Sequence, residues 1–200
     1  MSKFLTFILT SSLFFFTTTT CLAFTDLPTS HWSYDYINAL SKQGIINGYS
    51  DETFRPDQAI TRAELLKIAL ETSNKDAFAF ENLYFDDFTM NDWFAEYVVF
   101  AAQNEYVSGY DDGTFRPNQN ITRAEALKII LSVAGKENSS DSFVALARYK
   151  DVSENDWFAP HFSYAIQQNI ISGYEDSTIR PNQSITRAEA AKIIMEVKNL

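Results

Sequence analysis

The stretch Ile60-Thr61-Arg62-Ala63-Glu64 occurs three times in this chain, again as Ile121-Thr122-Arg123-Ala124-Glu125 and as Ile185-Thr186-Arg187-Ala188-Glu189. Threonine followed three residues later by glutamate is a capping box. The hydroxyl accepts a hydrogen bond from the N3 amide, and the glutamate carboxylate accepts one from the amide of the cap residue. Each stretch therefore predicts the start of a helix. The residues that follow are apolar on nearly every side, so we expect these three helices to be buried.

The repetition extends well beyond this stretch. A tryptophan and a glycine recur ahead of each threonine with the same two spacings, and the register holds without a gap. A fixed period of this kind is typical of a protein built from copies of one structural unit. We therefore divide the chain into repeats at 24–70, 85–131 and 149–195, joined by linkers at 71–84 and 132–148.

Each repeat carries another helix ahead of the capping box. Apolar residues stand at helical spacing after the tryptophan, as Ile37 and Leu40 do in the first repeat. Gly44 and Asn169 tolerate the left-handed conformation that ends a helix, and Glu105 takes the corresponding place in the second repeat. A turn-rich loop follows and ends in Arg-Pro, which predicts an extended arginine before the proline. The fold class is therefore all-α, with three helix-loop-helix repeats.

The first 23 residues have the features of a secretory signal peptide. Lys3 gives a positive start, Phe4 to Phe16 is nearly unbroken apolar sequence, and cleavage is predicted after Ala23. A membrane-spanning helix needs roughly 20 apolar residues, more than this run supplies. We therefore expect a secreted, extracellular chain. In the alternative, Cys21 is the lipidated first residue of a lipoprotein, although the residues before it are threonines.

Composition excludes several classes of function. With 26 acidic against 16 basic residues, the net charge is -10, which argues against nucleic acid as a partner. A single cysteine permits no intrachain disulfide and no zinc site built on several thiolates. His31 and His161 are unrelated by the repeat and have no companions at ligand spacing. No nucleophile motif is present, and the recurrent glutamates belong to the caps. We predict no metal, no cofactor and no enzymatic activity.

The repeated motifs resemble surface-layer homology (SLH) domains, present in three copies. The resemblance is carried by the tryptophan, the Gly-Tyr loop, the Thr-Phe-Arg-Pro turn and the Ile-Thr-Arg-Ala-Glu helix start. It implies three units around a pseudo-threefold axis, with the second helices forming a central bundle and grooves between neighbours. It also implies noncovalent attachment of exported bacterial proteins to cell-wall polysaccharide, often a secondary polymer whose terminal amino sugar carries a pyruvate ketal. The location implied is the cell wall or S-layer.

An alternative function is a protein-interaction or surface-lattice subunit, in which exposed helix faces contact another surface protein. Three positions also depart from the repeated pattern. Ile179 replaces the phenylalanine of the other loops, and the loop glycine occurs only as Gly113, with Glu52 and Ser177 in the other repeats, so we expect weaker sites there. Ser33 replaces the phenylalanine that follows the other tryptophans, which predicts a thinner groove wall or core contact in the first repeat.

An arginine at the first position of each capped helix suggests an anion site. A cation there is mildly disfavoured by the helix dipole, so its recurrence favours a role other than helix stability. Arginine beside free helix-terminal amides would receive a carboxylate. The alternative is that each arginine pairs with a loop aspartate and fixes the loop.

Three further repeated positions are candidates for ligand contact. The tryptophans could present a flat face to a sugar ring, although tryptophan at such a place is more often in the core. The glycines allow close approach of a ligand or only a turn. The loop aspartates could accept sugar hydroxyls or close the turn. With the arginines, the candidates are Arg62, Arg123, Arg187, Trp32, Trp93, Trp157, Gly48, Gly109, Gly173, Asp51, Asp112 and Asp176.

Two other repeated positions have lesser predicted roles. Arg55, Arg116 and Arg180 are secondary candidates for anion binding, or cover the groove with their aliphatic stems. The aspartates that open the repeats are expected to order the chain before the first helix. They are Asp26, Asp87 and Asp151.

Overall fold

The computed structural model describes residues 24–75, 77, 85–136 and 143–200. Within them lie six α-helices and one short 3₁₀ helix, which confirms the all-α prediction. The helices, in chain order, are α1 Tyr34–Lys42, α2 Arg62–Thr72, α3 Ala95–Gln103, α4 Arg123–Val133, the 3₁₀ helix Val144–Leu146, α5 Ala159–Gln167 and α6 Arg187–Lys198. None of the helices in these ranges is long and apolar enough to span a lipid bilayer. The predicted signal peptide and Cys21 lie outside the described residues.

The capping boxes form as predicted. Thr61 Oγ1 accepts a hydrogen bond from the Glu64 amide at 3.3 Å, and the Glu64 carboxylate accepts one from the Thr61 amide at 2.9 Å. The same reciprocal pair begins α4 and α6. The left-handed positions after the first helices are also confirmed, with φ of 73° at Gly44, 60° at Glu105 and 58° at Asn169.

The second helices α2, α4 and α6 contact one another and form the central bundle. Each first helix packs on the second helix of the preceding repeat, so α3 lies on α2 and α5 lies on α4. Because α1 packs on α6, the last repeat closes on the first. This confirms the pseudo-threefold arrangement of the second helices that the resemblance implied.

A ring of backbone hydrogen bonds surrounds the axis at the start of the bundle. The Ile60 amide donates to the Ile185 carbonyl, the Ile121 amide to the Ile60 carbonyl, and the Ile185 amide to the Ile121 carbonyl, each at 3.1 Å. All three isoleucine side chains are buried. Because each donor finds its acceptor in another repeat, one repeat alone cannot satisfy these buried groups.

The prediction of an extended residue before each loop proline is wrong. Arg55 has φ of 58°, and its counterparts Arg116 and Arg180 have φ of 59° and 51°. The Asp26 carboxylate accepts hydrogen bonds from the amides of Phe54 and Arg55, both at 2.7 Å, and these bonds hold the unusual backbone. Asp87 and Asp151 make the same two bonds in their repeats. These aspartates thus fasten the start of each repeat to its loop.

Two of the departures from the repeated pattern, Ile179 and Ser33, lie in the core. Ile179 is fully buried, like Phe54 and Phe115 at the equivalent positions. Ser33 is fully buried as well and lies 2.8 Å from the Nδ1 atom of His31. Both substitutions therefore change the packing of the core, Ile179 in its loop and Ser33 at the start of α1.

Candidate functional site

Three similar grooves lie at the junctions between repeats. Groove 1, of about 240 Å³, is lined by Ile45, Ile46, Asn47, Glu64, Lys67, Ile68, Trp93 and Arg187. Groove 2, of about 210 Å³, is lined by Arg62, Tyr106, Val107, Ser108, Gly109, Tyr110, Glu125, Lys128, Ile129 and Trp157. Groove 3, of about 280 Å³, is lined by Trp32, Arg123, Ile170, Ile171, Ser172, Gly173, Tyr174, Glu189, Lys192 and Ile193.

Every groove takes residues from all three repeats. In groove 2, Arg62 comes from the first repeat, Glu125 and Lys128 from α4 of the second, and Trp157 from the third. Grooves 1 and 3 have the same composition with the repeats exchanged in turn. The candidate arginines and tryptophans, far apart in sequence, thus meet because the bundle closes on itself.

The helix-start arginines are buried side chains that bridge two repeats. Arg62 is 6% exposed, and its Nε donates to the Phe115 carbonyl at 3.0 Å. Its Nη1 lies 3.2 Å from Glu125 Oε1. Arg123 makes the equivalent bonds with the Ile179 carbonyl and Glu189. The third arginine, Arg187, bonds the Phe54 and Asn47 carbonyls and lies 3.8 Å from Glu64.

The prediction of free amides beside these arginines is wrong. The Arg62 amide donates to the Gln119 carbonyl and the Ala63 amide to the Pro117 carbonyl, both at 3.0 Å, while the Glu64 amide bonds Thr61. The loop of the adjacent repeat supplies the two carbonyls. The same bonds occur at the starts of α4 and α6. An anion in a groove must therefore be held by side chains.

The alternative pairing of these arginines with the loop aspartates is also wrong. Asp51 forms its ion pair within its own loop, with Arg55 Nη2 at 3.0 Å. Hydrogen bonds from the Thr53 hydroxyl and then from Arg55 lower the pKa of Asp51 to about 2. Asp112 and Asp176 make the same contacts in their repeats.

The loop aspartates thus close their turns. The linings of grooves 1 to 3, within the described residues, do not include them. The secondary candidates Arg55, Arg116 and Arg180 are the partners of these aspartates and cover tyrosine rings at 3.8, 3.8 and 3.7 Å.

The tryptophans lie on the surface rather than in the core. Trp32 is 54% exposed, and Trp93 and Trp157 are each 57% exposed. Each contributes to the wall of one groove. Because an exposed indole offers an apolar face to solvent, the arrangement suits the stacking of a ring-shaped ligand.

The glycines have a structural reason to be glycine. A Cβ atom at Gly48, Gly109 or Gly173 would clash with the aromatic ring that opens the same repeat and with a carbonyl of the loop. For Gly109 these are the ring of Phe85 and the Thr114 carbonyl, and its φ of +69° also favours glycine. Gly109 and Gly173 line grooves 2 and 3 as well.

The sequence-based interpretation missed two sets of residues in or beside the grooves. Lys67, Lys128 and Lys192 recur at one position of the second helices, half-buried on the groove wall. Their repetition was visible, but lysine on a helix is ordinary. A tyrosine ring in each loop, Tyr49, Tyr110 or Tyr174, lies near both the helix-start arginine and the loop arginine.

Charges in groove 2 are closely coupled. The Tyr110 hydroxyl donates to Glu125 Oε1 at 2.7 Å, and burial, together with this bond, raises the pKa of Tyr110. Burial alone would raise the pKa of Glu125, but hydrogen bonds from Thr122 and Tyr110 and the charge of Arg62 outweigh it and lower that pKa. Glu125 is therefore ionised at neutral pH and offsets one positive charge, which leaves Lys128 as the excess cation.

The fold and its grooves define a class of module in which three repeats share one bundle and three interfacial grooves. The sequence profile of the S-layer homology domain matches residues 23–66, 84–127 and 148–191. The chain belongs to the S-layer homology domain family.

Relatives of this chain include three proteins of Acetivibrio thermocellus. The cellulosome-anchoring protein is 33% identical over 156 residues, covering 74% of this chain and 34% of that protein. Cell surface glycoprotein 1 is 32% identical over 158 residues, covering 74% and 7%. Exoglucanase XynX is 31% identical over 166 residues, covering 82% and 15%. The chain therefore spans only a minor part of the length of these relatives.

Proposed function

We propose that this chain is a noncovalent cell-wall anchor that binds acidic saccharide units of a wall polysaccharide in grooves 1 to 3. The observation that carries the proposal is the exposed tryptophan opposite an arginine and a lysine, repeated in three grooves. Family membership, and relatives named as a cell-surface glycoprotein and an anchoring protein, support a place at the cell surface.

The groove chemistry suits an acidic sugar. The indole provides an apolar face for a sugar ring, while lysine and arginine attract a carboxylate. A guanidinium carries five N–H donors, and the bonds of Arg62 to Phe115 and Glu125 use only two. A pyruvate ketal on an amino sugar would supply such a carboxylate. The chain is acidic overall, but only the field inside the groove must be positive for binding.

Three grooves on one rigid bundle would increase retention on a polymer. Once one groove is occupied, neighbouring saccharide units are held at high effective concentration near the other two. Weak individual sites can therefore give firm attachment. No catalytic group is required for this function, and the relative that is an enzyme by name, exoglucanase XynX, extends far beyond the part that matches this chain.

Cosedimentation with purified cell walls tests the proposal. Changing Trp32, Trp93 and Trp157 together to Ala should reduce binding by at least roughly tenfold, because packing of a ring on one aromatic side chain contributes about 1 kcal/mol and three such contacts are lost. The side chains are exposed, so the fold should survive. Val144→Ala, at an exposed apolar residue outside the groove linings, is the control.

Undiminished wall binding by a folded triple-tryptophan variant would refute the groove proposal. Arginine-to-alanine variants are less suitable, since Arg62 and its counterparts are buried between repeats. Self-assembly of the chain without polysaccharide, seen by light scattering, would instead favour the surface-lattice alternative with another surface protein as partner.

A further inference from the structure

The three groove lysines have different neighbours. In groove 1, Lys67 Nζ lies 3.2 Å from the Glu71 carboxylate, which also accepts a 2.8 Å hydrogen bond from the Tyr97 hydroxyl. The residue four positions after Lys128 in groove 2 is Ser132, which is buried. Lys128 Nζ instead lies 5.9 Å from the centre of the Trp157 ring.

Groove 3 resembles groove 1 in having a carboxylate four residues after its lysine. Glu196 stands four residues after Lys192, one turn along α6. Its Oε1 accepts a 2.7 Å hydrogen bond from the Tyr36 hydroxyl, which fixes the carboxylate on the side of α1. Residues four apart on a helix are neighbours, so this negative charge lies one turn from Lys192, although these two described side chains do not form the short ion pair that joins Lys67 to Glu71. Groove 2 therefore differs from both others in having no carboxylate four residues after its lysine.

The remaining charges have the same signs in the three grooves. Each groove has one helix-start arginine facing one capping glutamate, as Arg62 faces Glu125 in groove 2. The two charges offset each other in every groove, at 3.2 and 3.3 Å in grooves 2 and 3 and at 3.8 Å in groove 1. The carboxylate next to the lysine is thus the charge that varies. A ligand carboxylate entering groove 1 must compete with Glu71 for Lys67 and is repelled by Glu71.

We infer that groove 2 is the principal binding site for carboxylate-bearing saccharides, and that Glu71 weakens groove 1 by neutralising Lys67. The inference rests on the proposed function and adds a ranking to it. Lys128 then determines the affinity of groove 2 for the ligand. Its ammonium group can form a charge-assisted bond to the ligand carboxylate without competition from a carboxylate one turn along α4, while the sugar ring lies on Trp157.

The ranking can be measured through the tryptophans, because the chain has three and each of them lies in a different groove. Their indole N–H signals in ¹⁵N NMR of the full chain report the grooves separately, with assignment by single Trp→Phe variants. The probe is the methyl glycoside of an N-acetylated amino sugar bearing a pyruvate ketal. The Trp157 signal should reach its midpoint at a roughly tenfold lower concentration than that of Trp93, since a charge-assisted bond is involved.

Two substitutions test whether Lys128 and Glu71 cause the difference in affinity between grooves 2 and 1. Lys128→Met should raise the Trp157 midpoint by roughly tenfold and leave that of Trp32 unchanged. Glu71→Gln removes the competing charge but keeps an acceptor for Tyr97, and it should lower the Trp93 midpoint by roughly threefold or more. Lys150→Met, at an exposed lysine outside the groove linings, controls for the change in net charge.

The outcomes separate the ranking from the proposed function. If no indole signal moves with the probe, the groove proposal itself fails. If all three signals move at one concentration, or if the signal of Trp93 or Trp32 moves before that of Trp157, the proposed function stands and the ranking is overturned. An unchanged Trp157 midpoint in a folded Lys128→Met variant would also overturn it.

Discussion

Arg62 at the start of α2 forms an ion pair with Glu125 in the first turn of α4, with Nη1 and Oε1 3.2 Å apart. Glu125 also closes the capping box of α4. One carboxylate thus caps its own helix and holds the start of the preceding one. The pair Arg123–Glu189 and the longer pair Arg187–Glu64 continue the link around the axis. Stability and groove shape are therefore coupled across all three repeats.

Loss of the Arg62 side chain should destabilise the fold. Arg62→Ala removes the side-chain donor to the Phe115 carbonyl and the positive charge paired with Glu125, so we expect the free energy of unfolding to fall by about 2 to 4 kcal/mol. Urea unfolding followed by circular dichroism measures it. The control Arg116→Ala breaks an exposed, solvent-screened ion pair and should have a much smaller effect. Equal effects from the two substitutions would contradict the bridging role of Arg62.

Alanine substitutions at Gly109 and Gly135 distinguish the cost of backbone strain from the cost of close packing. Both have positive φ, +69° and +65°, but a Cβ atom at Gly109 would meet Phe85, whereas one at Gly135 meets nothing within 4 Å. Gly135→Ala should cost about 1 kcal/mol from the left-handed backbone alone. Gly109→Ala should cost a further 1 to 3 kcal/mol, roughly the penalty of overpacking. Thermal unfolding of the two variants gives the comparison, and similar losses would show that the ring contact is unimportant.

The carboxyl group of Asp51 should titrate near pH 2. Its pKa is lowered from the ordinary 3.8 by the Thr53 hydroxyl first and Arg55 next. A lowered pKa means that the loop bonds stabilise the fold fully above pH 4 and that this contribution disappears as the pH falls through about 2. Carbon-13 NMR of the carboxyl signals measures the midpoint. Thr53→Val should raise the pKa of Asp51 and leave Asp112 at about 2; no change at Asp51 would contradict the assigned cause.

Features that depend on residues close together in the chain were predicted correctly from the sequence. Features that depend on contacts between repeats were missed. Capping boxes, helix ends and the all-α repeat follow from residues close together in the chain. The amides of Arg62 and Ala63 were expected to be free because their acceptors, Gln119 and Pro117, belong to another repeat. The exposure of Trp157 likewise depends on the adjacent repeat. The difference between Lys67 and Lys128 became meaningful only once both were placed on groove walls.

A crystal structure of the chain with the pyruvylated amino-sugar glycoside tests the central claim most directly. The account predicts density for the sugar ring against Trp157, with its carboxylate within hydrogen-bonding distance of Lys128 or Arg62. Density for the sugar elsewhere on the protein, with all three grooves empty, would contradict it.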